Sequence, residues 1–140
     1  MLTAYPACFF KETNGYSVIF PDLNLATCGK TLDEALKMAV DCLAGYLYTL
    51  EKGEKAPEPS AVNKIDPAVL FHDLNGNEPL PDELFVNMIT VDVAEYAKTH
   101  FEKSVKKTLT IPAWLNKAAL DKGINFSAVL QNALKEQLGL

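Results

Sequence analysis

Val105-Lys106-Lys107-Thr108-Leu109-Thr110-Ile111-Pro112, followed by two short helical patterns, decides how this chain is organised. Successive side chains of a strand point to opposite faces. Lys106, Thr108 and Thr110 therefore share one face of this stretch and Val105, Leu109 and Ile111 the other, with Lys107 interrupting the apolar side near its start. Pro112 has no N–H and a fixed φ, so it ends the ladder and suits the first turn of a helix from Ala113 to about Lys122, with Gly123 as its C-terminal cap. Asn125 is placed to cap a second helix through about Leu138, on which Val129, Leu130, Ala133, Leu134 and Leu138 recur at helical spacing. A lone strand leaves both edges unpaired, and two helices this short are marginal in water without packing partners. A second copy of the chain is the expected remedy. Two antiparallel strands would cover a shared four-helix core with Leu109 and Ile111, joined there by Val129, Leu130 and Leu134. Lys106, Thr108 and Thr110 would then form an outer polar ribbon of the width that enters the major groove of B-DNA.

From Ser104 to Leu138 the pattern resembles the ribbon-helix-helix family of bacterial repressors. The resemblance implies groove contacts by Lys106, Thr108 and Thr110, and phosphate held at the start of the second helix by the backbone around Asn125, Phe126 and Ser127, where free N–H groups and the helix dipole favour an anion. The plain alternative is a packing unit with lysines outside. Charge speaks for the first reading: residues 101–140 hold six lysines against three carboxylates, +3, while residues 1–100 hold seven lysines against fifteen carboxylates, −8. A basic end on an acidic body suggests two different partners. The chain has no arginine, so bidentate guanidinium contacts to guanine are ruled out and specificity falls to Lys106, the threonines and DNA shape.

At 140 residues and 49% hydrophobic, the chain has material for one substantial core and a small appended module. It has no apolar run long enough to span a bilayer and no basic segment leading into a signal-type stretch, so a cytoplasmic location is expected. Cys8, Cys28 and Cys42 are odd in number and widely spaced. Neither a disulfide framework nor a metal site follows, and buried thiols are the expectation.

Leu2 to Lys11 and Tyr16 to Phe20 are β-type runs around a Thr13-Asn14-Gly15 turn, which predicts a hairpin, and Leu25 to Cys28 adds a short third strand. Thr31 with Glu34 forms a capping box for a long helix whose stripe is Leu32, Leu36, Ala39, Val40, Leu43, Leu47 and Leu50, expected to stop at Gly53 and to close the core over the sheet. Residues 54–83 hold five of the eight prolines and read as a connection with a short turn around Ala68 to Leu74. Leu84 to Val91 is a further strand whose apolar residues on both faces favour an interior place in the sheet, an edge place being the alternative. Asp92 and Glu95 cap a short helix to about His100.

This order of elements resembles HicB-like antitoxins. The match is carried by Tyr5-Pro6-Ala7, Gly15-Tyr16-Ser17-Val18, Phe20-Pro21-Asp22-Leu23, Thr31-Leu32-Asp33-Glu34-Ala35-Leu36 and Pro57-Glu58-Pro59-Ser60. Asn24-Leu25-Ala26 departs from the family pattern, and residues 66–83 look like an insertion. The resemblance implies an α+β fold, a degenerate ribonuclease H-like sheet with one long helix over residues 1–100, joined to a ribbon-helix-helix dimerisation and DNA-binding domain over 104–140. It also implies a non-enzymatic role without cofactor: binding and neutralising a HicA-like RNA-cleaving toxin and repressing the chain's own operon at operator DNA. An acidic domain would be steered to a basic, phosphate-holding partner, although sign alone leaves the toxin-contacting residues unknown, with Asp22, Glu12 and the carboxylates of the long helix as candidates. Two other classes stay open: a dimeric binding module without DNA binding, and a metal-dependent nuclease. The second needs clustered inward carboxylates, whereas Glu12 and Asp22 flank turns and neither His72 nor His100 has a recognisable partner.

Overall fold

The computed structural model describes residues 1–50 and 53–140, which divide into two compact units, Met1–Lys103 and Ser104–Leu140. In the first unit β1 (Leu2–Glu12), β2 (Gly15–Phe20), β3 (Leu25–Gly29) and β4 (Leu84–Asp92) form an antiparallel sheet in the order β3-β2-β1-β4. The hairpin closes over Thr13-Asn14, with Glu12 opposite Gly15. Two glycines bring the backbones together: a Cβ on Gly15 would lie 2.2 Å from the Gly29 carbonyl oxygen, and one on Gly29 would lie 2.3 Å from the Ala35 nitrogen.

Helix α1 (Leu32–Tyr48) starts at the expected cap, Thr31 Oγ1 accepting from the Glu34 N–H at 3.1 Å, while Glu34 Oε2 reaches one residue past the cap and accepts from the Lys30 N–H at 2.9 Å. Its buried line is Ala35, Ala39, Leu43 and Ala44; Leu36, Val40 and Leu47 pack at the sides and Leu32 is exposed. Small residues sit nearest the sheet because the β3 backbone approaches the helix so closely. They close a core with Tyr5, Ala7, Phe9, Val18, Phe20, Leu23, Ile89 and Val91. The helix ends at Tyr48 with Thr49 as cap, short of the expected Gly53; Glu51 and Lys52 lie outside the described residues.

The opposite sheet face is also covered. Pro6, Cys8 and Phe10 of β1 are almost wholly buried, and α2 (Pro67–Asn75) lies over them with Phe71 edge-on to Phe10, ring centres 5.6 Å apart. A full helix thus replaces the expected short turn, because Asp66 caps it by accepting from the Ala68 and Val69 N–H groups and Pro67 opens it. This also corrects the interior placing of β4, which is an edge strand beside β1. Its second apolar face meets the connecting segment, including the 3-10 turn Val62–Lys64, rather than another strand. Helix α3 (Val93–His100) begins at Asp92, whose carboxylate accepts from the Glu95 N–H at 3.2 Å, and packs on α1.

The second unit comprises α4 (Ala113–Asp121) and α5 (Phe126–Leu138). Gly123 at φ 65° ends α4: its N–H donates to the Leu120 carbonyl and that of Ile124 to the Ala119 carbonyl, both at 3.0 Å.

Candidate functional site

Residues 104–112 form no strand in the single chain, and the ribbon over Val105–Ile111 was expected only between two copies. The physical reason is that a ladder needs a neighbour: among the described residues no backbone hydrogen bond joins residues 104–111 to the rest, and only the Pro112 carbonyl is taken, by the Leu115 and Asn116 N–H groups of the helix it opens. Lys106, Thr108 and Thr110 are exposed within it. The expected dimer-core positions are equally open: Leu109 is 65% exposed, Ile111 41%, Val129 55% and Leu134 53%, and only Leu130 is half-buried. Trp114, Leu115, Leu120 and Ile124, not singled out by sequence reasoning, belong to the same exposed apolar set. Trp114 and Leu115 directly follow Pro112, and Leu115 with half-buried Ala119 has the i,i+4 spacing that was readable all along.

At the start of α5, Asn125 accepts from the Ala128 N–H at 3.1 Å, and the Ser127 hydroxyl accepts from the Gln131 amide at 3.0 Å. Asn125, Phe126 and Ser127 come together at this helix end, all solvent-facing, where backbone N–H groups not spent on the cap remain.

In the first unit the carboxylates weighed as candidates are occupied locally. Asp22 accepts from the Ser60 N–H at 2.8 Å and the Ser60 hydroxyl at 2.7 Å. The Tyr5 hydroxyl donates to the Pro57 carbonyl, and burial, with Glu58 next in effect, holds that phenol above its usual pKa. The Pro57-Glu58-Pro59-Ser60 stretch is therefore clasped to the sheet unit at two points. Glu12 accepts from the Ser17 hydroxyl at 2.9 Å. His72 Nδ1 contacts the Gly76 carbonyl at 2.8 Å, and His100 stacks on Tyr96 with ring centres 3.8 Å apart. The Tyr96 hydroxyl donates to Asp41 at 2.9 Å, and burial followed by that bond pushes its pKa up to about 12. Among the described residues no group of three or more His, Cys, Asp or Glu side chains is placed to hold a metal ion, and no helix is long and apolar enough to cross a membrane. Cys8 is buried, which pushes its thiol up to about 11, and Cys42 is half-buried. Cys28 corrects the expectation of buried thiols: it sits on the outward side of edge strand β3.

The family described as HicB-like antitoxin of bacterial toxin-antitoxin systems matches residues 5–133. The chain belongs to this family. Among solved structures it is similar to a toxin–antitoxin complex from Streptococcus pneumoniae, with 34% identity over 98% of this chain and 99% of that one and a TM-score of 0.63. It is also similar to the crystal structure of the antitoxin HicB3, with 25% identity, 96% and 97% of the two chains covered and a TM-score of 0.45. No curated protein matches it. The HicB-like assignment runs through both units, so the clasped Pro57–Ser60 stretch and the exposed tail belong to one family pattern.

Proposed function

We propose that this HicB-like chain neutralises a HicA-like, RNA-cleaving toxin through its first unit and represses its own operon through paired copies of the second. The observation that carries the DNA-binding half is the open apolar surface of residues 104–140. Large side chains at Leu109, Ile111, Trp114, Val129 and Leu134 face solvent in the single chain beside a stretch that alternates like a strand but has no partner. Exposed apolar area on this scale in a small unit is stabilised by association. An antiparallel second copy would pair residues 105–111, bury Leu109 and Ile111 with Val129, Leu130 and Leu134, and leave Lys106, Thr108 and Thr110 facing the groove. The α5 start around Asn125, Phe126 and Ser127 would meet a phosphate. The toxin half is supported by family membership, by similarity to a chain from a toxin–antitoxin complex, and by opposite charge: −8 over residues 1–100 attracts a protein built to hold RNA phosphates.

A salt series of binding to the chain's own upstream DNA tests the repressor half. Affinity is expected to fall steeply with salt, and Lys106→Ala to reduce the log–log slope by about 1 through one lost phosphate or groove charge. Flat, negligible binding at low salt would leave a dimerising module and overturn repression. Co-purification with the product of the neighbouring reading frame tests the toxin half; absence of any complex with a small basic protein would refute it.

A further inference from the structure

The outer edge of β4 is a strand-length docking site without an occupant. β4 has β1 on one side and no strand on the other among the described residues. Lys11 N–H donates to the Glu83 carbonyl at 3.0 Å, and Pro6, which has no N–H to give, lies opposite Met88. Alternation along an antiparallel ladder then turns the odd-numbered residues of β4 toward β1 and the backbone N–H and C=O groups of Val86, Met88 and Thr90 outward. The nearby 3-10 turn packs against β4, but among the described residues no backbone hydrogen bond joins it to Val86, Met88 or Thr90. Protein edges are normally guarded by lysine, proline or short length. β4 is nine residues long with neither lysine nor proline, whereas the other edge strand, β3, has five residues.

The surroundings select the occupant. From Ile65 to Ala97 the chain has no lysine and seven carboxylates. Asp92 is matched by the Met1 ammonium at 2.8 Å and Glu95 by Lys98 at 2.8 Å, so the uncompensated charge gathers at the other end of the edge. There Asp82 pairs with no cation among the described residues, whereas Glu83 reaches back across β1 to accept from the Tyr16 hydroxyl on β2. A second copy would bring another anionic unit against this one, which like-charge repulsion opposes. Resting on the toxin-binding reading above, we infer that an extended segment of the basic partner protein adds to β4 as a fifth strand, antiparallel or parallel, with a cationic side chain beside Asp82. Main-chain bonds supply the affinity of such strand addition and the flanking charges its selectivity.

The test uses the full chain and the small basic protein encoded beside it, with amide hydrogen exchange and binding titration. Binding is expected to protect the Val86, Met88 and Thr90 amides. Thr90→Pro, which removes an outward N–H at an exposed side chain, is expected to weaken binding roughly tenfold, with Thr90→Val near the parent value. Unchanged exchange at those three amides in a formed complex would overturn the edge assignment while leaving toxin binding intact. Concentration-dependent protection of the chain alone would overturn it in favour of self-pairing. Failure of the parent chain to form any complex would remove the toxin reading and this inference with it.

Discussion

Replacing Asp22 by alanine is expected to loosen the clasp that carries the chain from α1 past the sheet to α2. The substitution removes two acceptor contacts, from the Ser60 N–H at 2.8 Å and the Ser60 hydroxyl at 2.7 Å. Hydrogen bonds to a charged group contribute about 1.5 to 3 kcal/mol each, and the half-buried setting places these at the lower end, so the combined loss is about 2 to 3 kcal/mol. For a unit of about 100 residues that lowers the melting temperature by roughly 10 to 20 °C. Ser60→Ala forfeits only the hydroxyl contact and is expected to cost about 1 kcal/mol, and in the double variant the two losses should fall short of adding because the groups share a bond. All five tyrosines lie in the first unit and the single tryptophan, Trp114, in the second. Tyrosine circular dichroism therefore follows the perturbed unit while Trp114 fluorescence serves as the internal control. An Asp22→Ala melt within about 2 °C of the parent would refute the clasp.

Thiol titration at pH 8 should modify Cys28 first, Cys42 more slowly and Cys8 only on unfolding, since burial raises the Cys8 thiol to about 11 and leaves Cys28 open; rapid loss of all three thiols in the folded chain would contradict the packing of the second sheet face. Tyr96 has a folded pKa of about 12 against an unfolded value near 10, so its bond to Asp41 stabilises fully below pH ~10 and is lost as pH rises toward 12; Tyr96→Phe should flatten that alkaline decline in denaturant midpoint. Leu109→Glu or Ile111→Glu should turn the proposed dimer into monomers with a disordered tail by light scattering and circular dichroism, because a carboxylate would enter its shared core; a dimer that survives either change would contradict the proposed intertwined tail.

Local signals in the sequence were strong where one side chain bonds its own backbone. Thr31 with Glu34, Asp92 with Glu95 and Asn125 each start a helix where expected, since a cap is a contact between near neighbours. The hairpin and its turn were legible for the same reason. What depended on distant pairing was harder to read. The apolar density of β4 reads equally as an interior strand or as an edge strand covered on both faces, and only the strand order, with β4 beside β1 alone, tells them apart. The clasp residues Tyr5, Asp22, Pro57 and Ser60 were visible as a resemblance, but hydrogen bonds across 38 and 52 positions leave no periodic trace. Residues 105–111 present the opposite case: the pattern is plain, yet its ladder partner belongs to another molecule in the proposed assembly.

The near contacts at Gly15 and Gly29 act on one coordinate, the sliding of β2 along β3 beneath the start of α1. A shift by a single position would bring Tyr16 or Lys30 into a gap that already excludes a methyl group. Misthreaded pairings of β2 with β3 are therefore barred by steric exclusion at one corner, and a nascent chain that closes that corner has settled the alignment of both strands and their seat against α1 at once.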